Sequence, residues 1–201
     1  MECDVRLAKD QVPVIFHDEA VRLPDGREKP IRELDHKRLG TIDIGGGEAI
    51  PTLKEALRRF GVRLFFDVEI KELDAVKKVL NIINTMSLSG RTMVSSFIPE
   101  ALQTARDIAP QIERGLLVDR LTGGIMGGKS AIKAAAMLGC AFFLPDYRAL
   151  SGKWVTAAQS EGMKVVPWTV NRLEDGKALI ENGVDGLISD RPDQFHFLLR
   201  S

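Results

Sequence analysis

Charge of one sign is missing from this chain: 28 lysines and arginines face 28 aspartates and glutamates, so the formal net charge is zero. That balance removes the bulk electrostatic argument for nucleic acid or an anionic membrane as a partner. Cysteine is scarce as well. Cys3 and Cys140 are the only two and form no C-x-x-C pair, which argues against a disulfide framework or a cysteine-ligated metal and fits a reducing cytoplasm. No uninterrupted apolar run approaches the roughly 20 residues that span a bilayer. The acidic, polar start lacks the basic and then apolar pattern of a signal peptide. The expectation is a cytoplasmic protein without membrane insertion and without a nucleic-acid partner.

What is present suits one ordinary globular domain: 201 residues, 44% hydrophobic and 28% charged, enough for a sizeable core. Short apolar runs alternate with amphipathic stretches. The runs are "ECDVRL" with its return "VPVIFHD", then "RLFFDVEI", "TMVSSF", "RGLLVD", "CAFFLPD", "MKVVPWTV" and "DGLISD". Between them lie stretches of helical spacing such as "ELDAVKKVLNIINTM", where Ala75, Val76, Val79, Leu80 and Ile83 fall on one face. Gly61, Gly139 and Gly162 stand where three of these helices should stop. Regular alternation of this kind predicts a parallel sheet with helical crossovers. Residues 19–50 break the rhythm with Pro24, Pro30 and Gly45-Gly46-Gly47, and read as an inserted loop with little structure of its own. No linker divides residues 1–201. Two α/β architectures remain, an open doubly wound sheet and a closed (β/α)8 TIM barrel. Counting the opening hairpin once gives seven parallel strands, one module short of a barrel.

In either architecture chemistry collects at the C-terminal ends of the parallel strands. Those ends carry Glu2 and Asp4, His17, Glu69 with Lys71, Ser95-Ser96, Asp119, Asp146, Trp168 with Asn171, and Asp190. Residues two apart in a strand share a face, so Glu2 and Asp4 point one way and Cys3 the other. Two carboxylates on one face repel unless a cation or water lies between them. Three carboxylates from two modules suit a hard, oxygen-ligated cation such as Mg2+ or Ca2+. A lysine two residues from Glu69 adds a positive group for phosphoryl oxygens, and a histidine can move a proton.

The opening stretch "ECDVRLAKDQVPVIFHDE" resembles the E-x-D-V-x-x-(T/A)-x-D-x-x-P-V-x-x-H-D signature of glycerophosphodiester phosphodiesterases. The similarity continues in order through "IPTLKEAL", "FFDVEIKE", "VSSF", "VPWTVN" and "GVDGLISDRPD" and covers nearly the whole chain. The resemblance implies a TIM barrel that hydrolyses glycerophosphodiesters to glycerol 3-phosphate and an alcohol. It implies a metal held by Glu2, Asp4 and Glu69, a proton-transfer histidine at His17, and substrate-pocket positions at Lys71 and Trp168. The family opens with a strand bearing H-R-G and a helix bearing P-E-N-T, and this chain begins after both. Those motifs supply a first catalytic histidine, a phosphate-binding arginine and a further glutamate. Neither His36, in the insertion, nor His196, in the last helix, replaces that histidine. The chain is therefore expected to be weakly active or inactive. A barrel short of one strand leaves "ECDVRL" and "GLISD" as edges, expected to cost stability, to pair in a homodimer, or to leave residues 1–20 mobile.

Blander readings stand beside these. Lys71 can be a surface partner of Glu72, and Trp168 simple barrel core. Asp119, Asp146 and Asp190 read as structural strand-end residues, and Ser95-Ser96 as a tight strand end. "GGIMGGKS", residues 123–130, satisfies the phosphate-cradling pattern G-x-x-x-x-G-K-S and supports a P-loop nucleotide-binding hydrolase as the alternative. Three residues, Arg120 to Thr122, separate it from its strand, which a P-loop does not normally allow. A non-catalytic metal- or partner-binding remnant of the barrel is the third reading.

Overall fold

The computed structural model describes residues 1–120 and 127–195. The chain divides into two compact units, Met1–Glu113 and Arg114–Ser201.

In the first unit, β1 (Glu2–Leu7) turns at residues 8–12 and returns as β2 (Pro13–Ile15), paired antiparallel with Val5 opposite Ile15. On its other side β1 runs parallel to β5 (Phe66–Ile70), and β5 parallel to β6 (Thr92–Ser96). Alternation decides the two faces. Cys3, Val5, Leu7, Phe66, Val68 and Ile70 turn to one side. There they form a single apolar cluster with residues of α2 (Leu53–Phe60), α3 (Val76–Thr85) and α4 (Pro99–Ile108). Each large side chain buried in that layer contributes on the order of 1.5–3 kcal/mol, so the helix-facing side holds the sheet and leaves the opposite face available for polar residues. Helix α2 starts cleanly because Thr52 and Glu55 form a reciprocal capping box. Helix α4 starts on Pro99, whose missing N–H costs nothing at that position.

Residues 19–50 are better ordered than their prolines and glycines suggest. They hold a small hairpin of β3 (Ala20–Arg22) and β4 (Glu28–Pro30), a 3-10 turn at Ile31–Glu33, and a one-turn helix α1 (His36–Leu39). The reason is a separate apolar cluster: Val21, Ile31, Leu34, Leu39, Ile42 and Ile50 pack on Ala8 and Val14. Those apolar residues follow neither helical nor strand spacing, so periodicity misses them.

The second unit repeats the strand–helix pattern. It runs through β7 (Glu113–Val118), α5 (Gly128–Met137), β8 (Phe142–Pro145), α6 (Gly152–Ser160), β9 (Lys164–Val165) and α7 (Leu173–Glu181), with β7–β8 and β8–β9 parallel. Gly139 and Gly162 follow their helices at positive φ, 65° and 80°, the left-handed stop expected of them. Gly61 does not: its φ is −61°. A Cβ there would lie 2.5 Å from the Leu57 carbonyl oxygen, so close packing is the reason for that glycine. The stretch "GLISD" lies near a strand without being one. Ile188 N–H donates to the Pro167 carbonyl and its own carbonyl accepts from Val170 N–H, but the regular ladder does not extend. No helix among the described residues is long and apolar enough to cross a membrane.

Candidate metal centre

The parallel register of β1 and β5 sets Glu2 opposite Asp67 and Asp4 opposite Glu69. Since the apolar residues of both strands face the helices, these four carboxylates, with Arg6 and Lys71, share the other face. One oxygen from each of Glu2, Asp4 and Glu69 lies within 4.8 Å of the other two. At that separation and an effective dielectric of about 20, each ionised pair repels by on the order of 3 kcal/mol. The titration behaviour follows. Burial, and then the neighbouring Asp4, Asp67 and Glu69, push Glu2 up to about 8. Burial pushes Asp67 up to about 7, against the hydrogen bond that Ser95 Oγ donates to it at 2.6 Å. Glu69 is raised too, chiefly by burial, with Lys71 opposing the rise.

Lys71 Nζ stands inside this cluster, 2.6 Å from Glu69 Oε1 and 3.0 Å from Asp4 Oδ1. Burial alone would lower its proton affinity, but the two carboxylates outweigh that and hold it above the ordinary lysine range. Lys71 is thus not the partner of Glu72, which pairs with Arg6 and Arg32 instead. Glu69 Oε1 is buried and accepts no hydrogen bond of good geometry. With Arg6 taken by Glu72, one ammonium among four carboxylates leaves the face short of positive charge, and Glu2, Asp4 and Glu69 offer hard oxygens at mutual distances that one cation can bridge. The residues present therefore fit a divalent ion of the Mg2+ or Ca2+ class.

His17 follows β2. Its backbone carbonyl accepts from Arg6 Nε at 2.9 Å, which ties it to the carboxylate-bearing face of β1. The ring is exposed, with Nδ1 2.7 Å from Asp18 Oδ1. Asp67 was not singled out by sequence, yet Asp67, Glu69 and Lys71 stand at i, i+2, i+4 in one strand. That spacing alone places all three on one face, so the signal was present. Ser96 is structural, as expected: its hydroxyl donates to the Ile70 carbonyl and accepts from Ile98 N–H.

In the second unit, Trp168 continues the β8–β9 ladder, and its Nε1 donates to the Leu144 carbonyl at 2.8 Å. Asp146 is a structural anchor, since Arg148 holds it through Nε and Nη2 at 2.9 and 2.6 Å. Asn171, Ser189 and Asp190 form one hydrogen-bonded knot. Of "GGIMGGKS", residues 123–126 lie outside the described residues, as does His196. The described remainder gives Gly128 a packing role, because a Cβ there would fall 1.7 Å from the Trp154 ring. Both thiols are buried, and burial pushes Cys140 up to about 12 and raises Cys3 also.

Comparison with known proteins agrees with this arrangement. Residues 1–194 match the model of the glycerophosphoryl diester phosphodiesterase family. A glycerophosphodiester phosphodiesterase of Caldanaerobacter subterraneus is 30% identical over 213 residues, covering 100% of this chain and 85% of that protein. The crystal structure of a glycerophosphodiester phosphodiesterase from Parabacteroides distasonis superposes with a TM-score of 0.85 at 25% identity, covering 99% of this chain and 82% of the other. A phosphodiesterase of Oleispira antarctica, in complex with its product sn-glycerol-3-phosphate, gives a TM-score of 0.83 at 25% identity, over 100% of this chain and 84% of that one. The fold is that of TIM-barrel phosphodiesterases, and the chain belongs to the glycerophosphoryl diester phosphodiesterase family.

Proposed function

We propose that this protein hydrolyses glycerophosphodiesters to glycerol 3-phosphate and an alcohol, with a divalent cation held by Glu2, Asp4 and Glu69. The observation that carries the reading is the crowding of those three carboxylates within 4.8 Å on a face that also bears Asp67. Such crowding is unfavourable without a cation. When bound, the ion would supply positive charge against the phosphoryl oxygens. Lys71 is the second positive group of the face, placed to share its charge between the carboxylates and a phosphoryl oxygen of the diester. His17 is the proton-transfer group: it is exposed to solvent and tethered to Arg6 through its backbone, so its ring is available to water and to the leaving alkoxide. Ser95 fixes Asp67 by donating a hydrogen bond to it. Trp168 is assigned to the substrate pocket on the match of "VPWTVN" to the family pattern, with its indole N–H already committed to Leu144. Its apolar ring is then what it offers to substrate.

Product release tests the reading. With Mg2+ or Ca2+ present, the chain should liberate glycerol 3-phosphate from a glycerophosphodiester, slowly because H-R-G and P-E-N-T are absent from its sequence, and a chelator should stop it. Release that ignores the chelator contradicts the cation, and no release under either condition contradicts the hydrolysis.

A further inference from the structure

A cavity of about 540 Å3 opens on the first unit between the β1–β2 turn, α1, α2 and α3, and it shares no residue with the carboxylate cluster. Its walls carry Lys54 and Arg58 from α2 and Lys78 from α3, with Thr52, His36 and Asn81 between them. The three basic groups are not ion-paired. Lys54, Arg58 and Lys78 have no carboxylate within 4.0 Å among the described residues, whereas thirteen other basic–acidic contacts of the described chain do close to that distance. The carboxylate that lines the cavity, Glu55, is turned to the start of α2, where its Oε2 accepts from Thr52 N–H at 2.8 Å and Thr52 Oγ1 at 2.7 Å. Those hydrogen bonds hold it below the usual carboxylate range. His36 is likewise occupied, its Nδ1 paired with Asp10.

Lys54 and Arg58 stand at i, i+4, one above the other on the same face of α2, a like-charge spacing that destabilises a helix unless something negative lies between. Lys78 and Asn81, three apart on α3, share a face in the same way. Two neighbouring helices thus present cations and an amide to one concavity. Its volume is that of a small-molecule site, in a groove open to solvent. Guanidinium, ammonium and carboxamide donors together make a recognition set for a tetrahedral oxyanion.

We propose that this cavity is a binding site for a small phosphate, inorganic or monoester, separate from the carboxylate centre and independent of the catalytic reading. Lys54, Arg58 and Lys78 neutralise the anion, and Asn81 orients it. The test uses the 201-residue chain and inorganic phosphate, by calorimetric titration at low ionic strength with a chelator present. Without a divalent cation the carboxylate face repels anions, so it contributes no phosphate binding. The parent should bind phosphate, and Lys54→Ala/Arg58→Ala should weaken it at least tenfold. Lys78→Ala, on the other helix, should weaken it severalfold, and Glu69→Gln should leave it unchanged. All three basic residues lie at the cavity wall rather than in the apolar layer, and circular dichroism checks that the fold is kept. Vesicles containing phosphatidate, run beside vesicles of phosphatidylcholine alone, show whether a lipid headgroup reaches the cavity. Retention on phosphatidate alone, lost in the double variant, would identify a lipid as the source, and no retention a soluble phosphate. No binding by the parent, a loss of less than tenfold in the double variant, or a loss in Glu69→Gln overturns the proposal.

Discussion

His17 carries its identity in its neighbours more than in its own geometry. Its ring is exposed and touches Asp18, which taken alone describes any turn histidine. The sequence "VPVIFHDE" picked it out because the whole pattern repeats the family signature. If it transfers a proton, His17→Asn should lower the rate by about 10²–10⁴-fold while cation affinity stays put. A rate within threefold of the parent contradicts the role. Asp146 shows the opposite case, a strand-end carboxylate whose work is structural. Burial disfavours its charge, but the Arg148 guanidinium and backbone N–H outweigh burial and hold it below its ordinary 3.8. A depressed acid contributes stability that is present above the unfolded value near 3.8 and lost as the pH falls through the folded one. Arg148 is 59% exposed, so solvent screening keeps the effect small. Asp146→Asn should therefore narrow the gap to the parent as the pH drops below 4, in denaturant melts run at pH 7 and pH 3. A gap that widens on acidification contradicts this assignment.

At the scale of elements, alternation was the legible feature. Strand and helix order, the helix-facing residues of β1 and β5, and the shared face of Glu2 and Asp4 all follow from spacing, because period 2 and period 3.6 admit few misreadings. What spacing does not show is which side chain closes a gap. Nothing in "GGKS" announces Trp154, which fills the space beside Gly128. Gly128→Ala forces the indole or the helix start to move and should cost about 1–3 kcal/mol, read from urea melts, with Trp154→Leu restoring part of the loss in the double variant. An unchanged melt would mean that the glycine serves something other than packing. A second joint links β6 to β5, where Ser95 Oγ donates to buried Asp67. Ser95→Ala removes that donor and should destabilise by about 1–3 kcal/mol; stability equal to the parent would show that another donor replaces it.

Over the whole molecule, the strand count left a doubly wound sheet and a barrel open, the family motifs chose the barrel, and the comparisons bear that out. Two parts were hidden for physical reasons. The order within residues 19–50 comes from an aperiodic apolar cluster that only the folded chain assembles. The fourth carboxylate, Asp67, stands inside the apolar run "RLFFDVEI" and joins the others only through strand spacing and the β1–β5 register. The weak strand character of "GLISD" has its own cause: its ladder-like hydrogen bonds are the two that Ile188 makes with Pro167 and Val170, and the Ser189 and Asp190 side chains are tied up in the Asn171 knot. The account depends most on the claim that Glu2, Asp4 and Glu69 together hold one divalent cation. Calorimetric titration of Mg2+ and of Ca2+ into the parent and into Glu69→Gln reads this directly. One ion per chain in the parent, with affinity at least tenfold weaker in the variant and the fold unchanged, is the expected result. Equal affinity of the two proteins for both ions would contradict the centre described here.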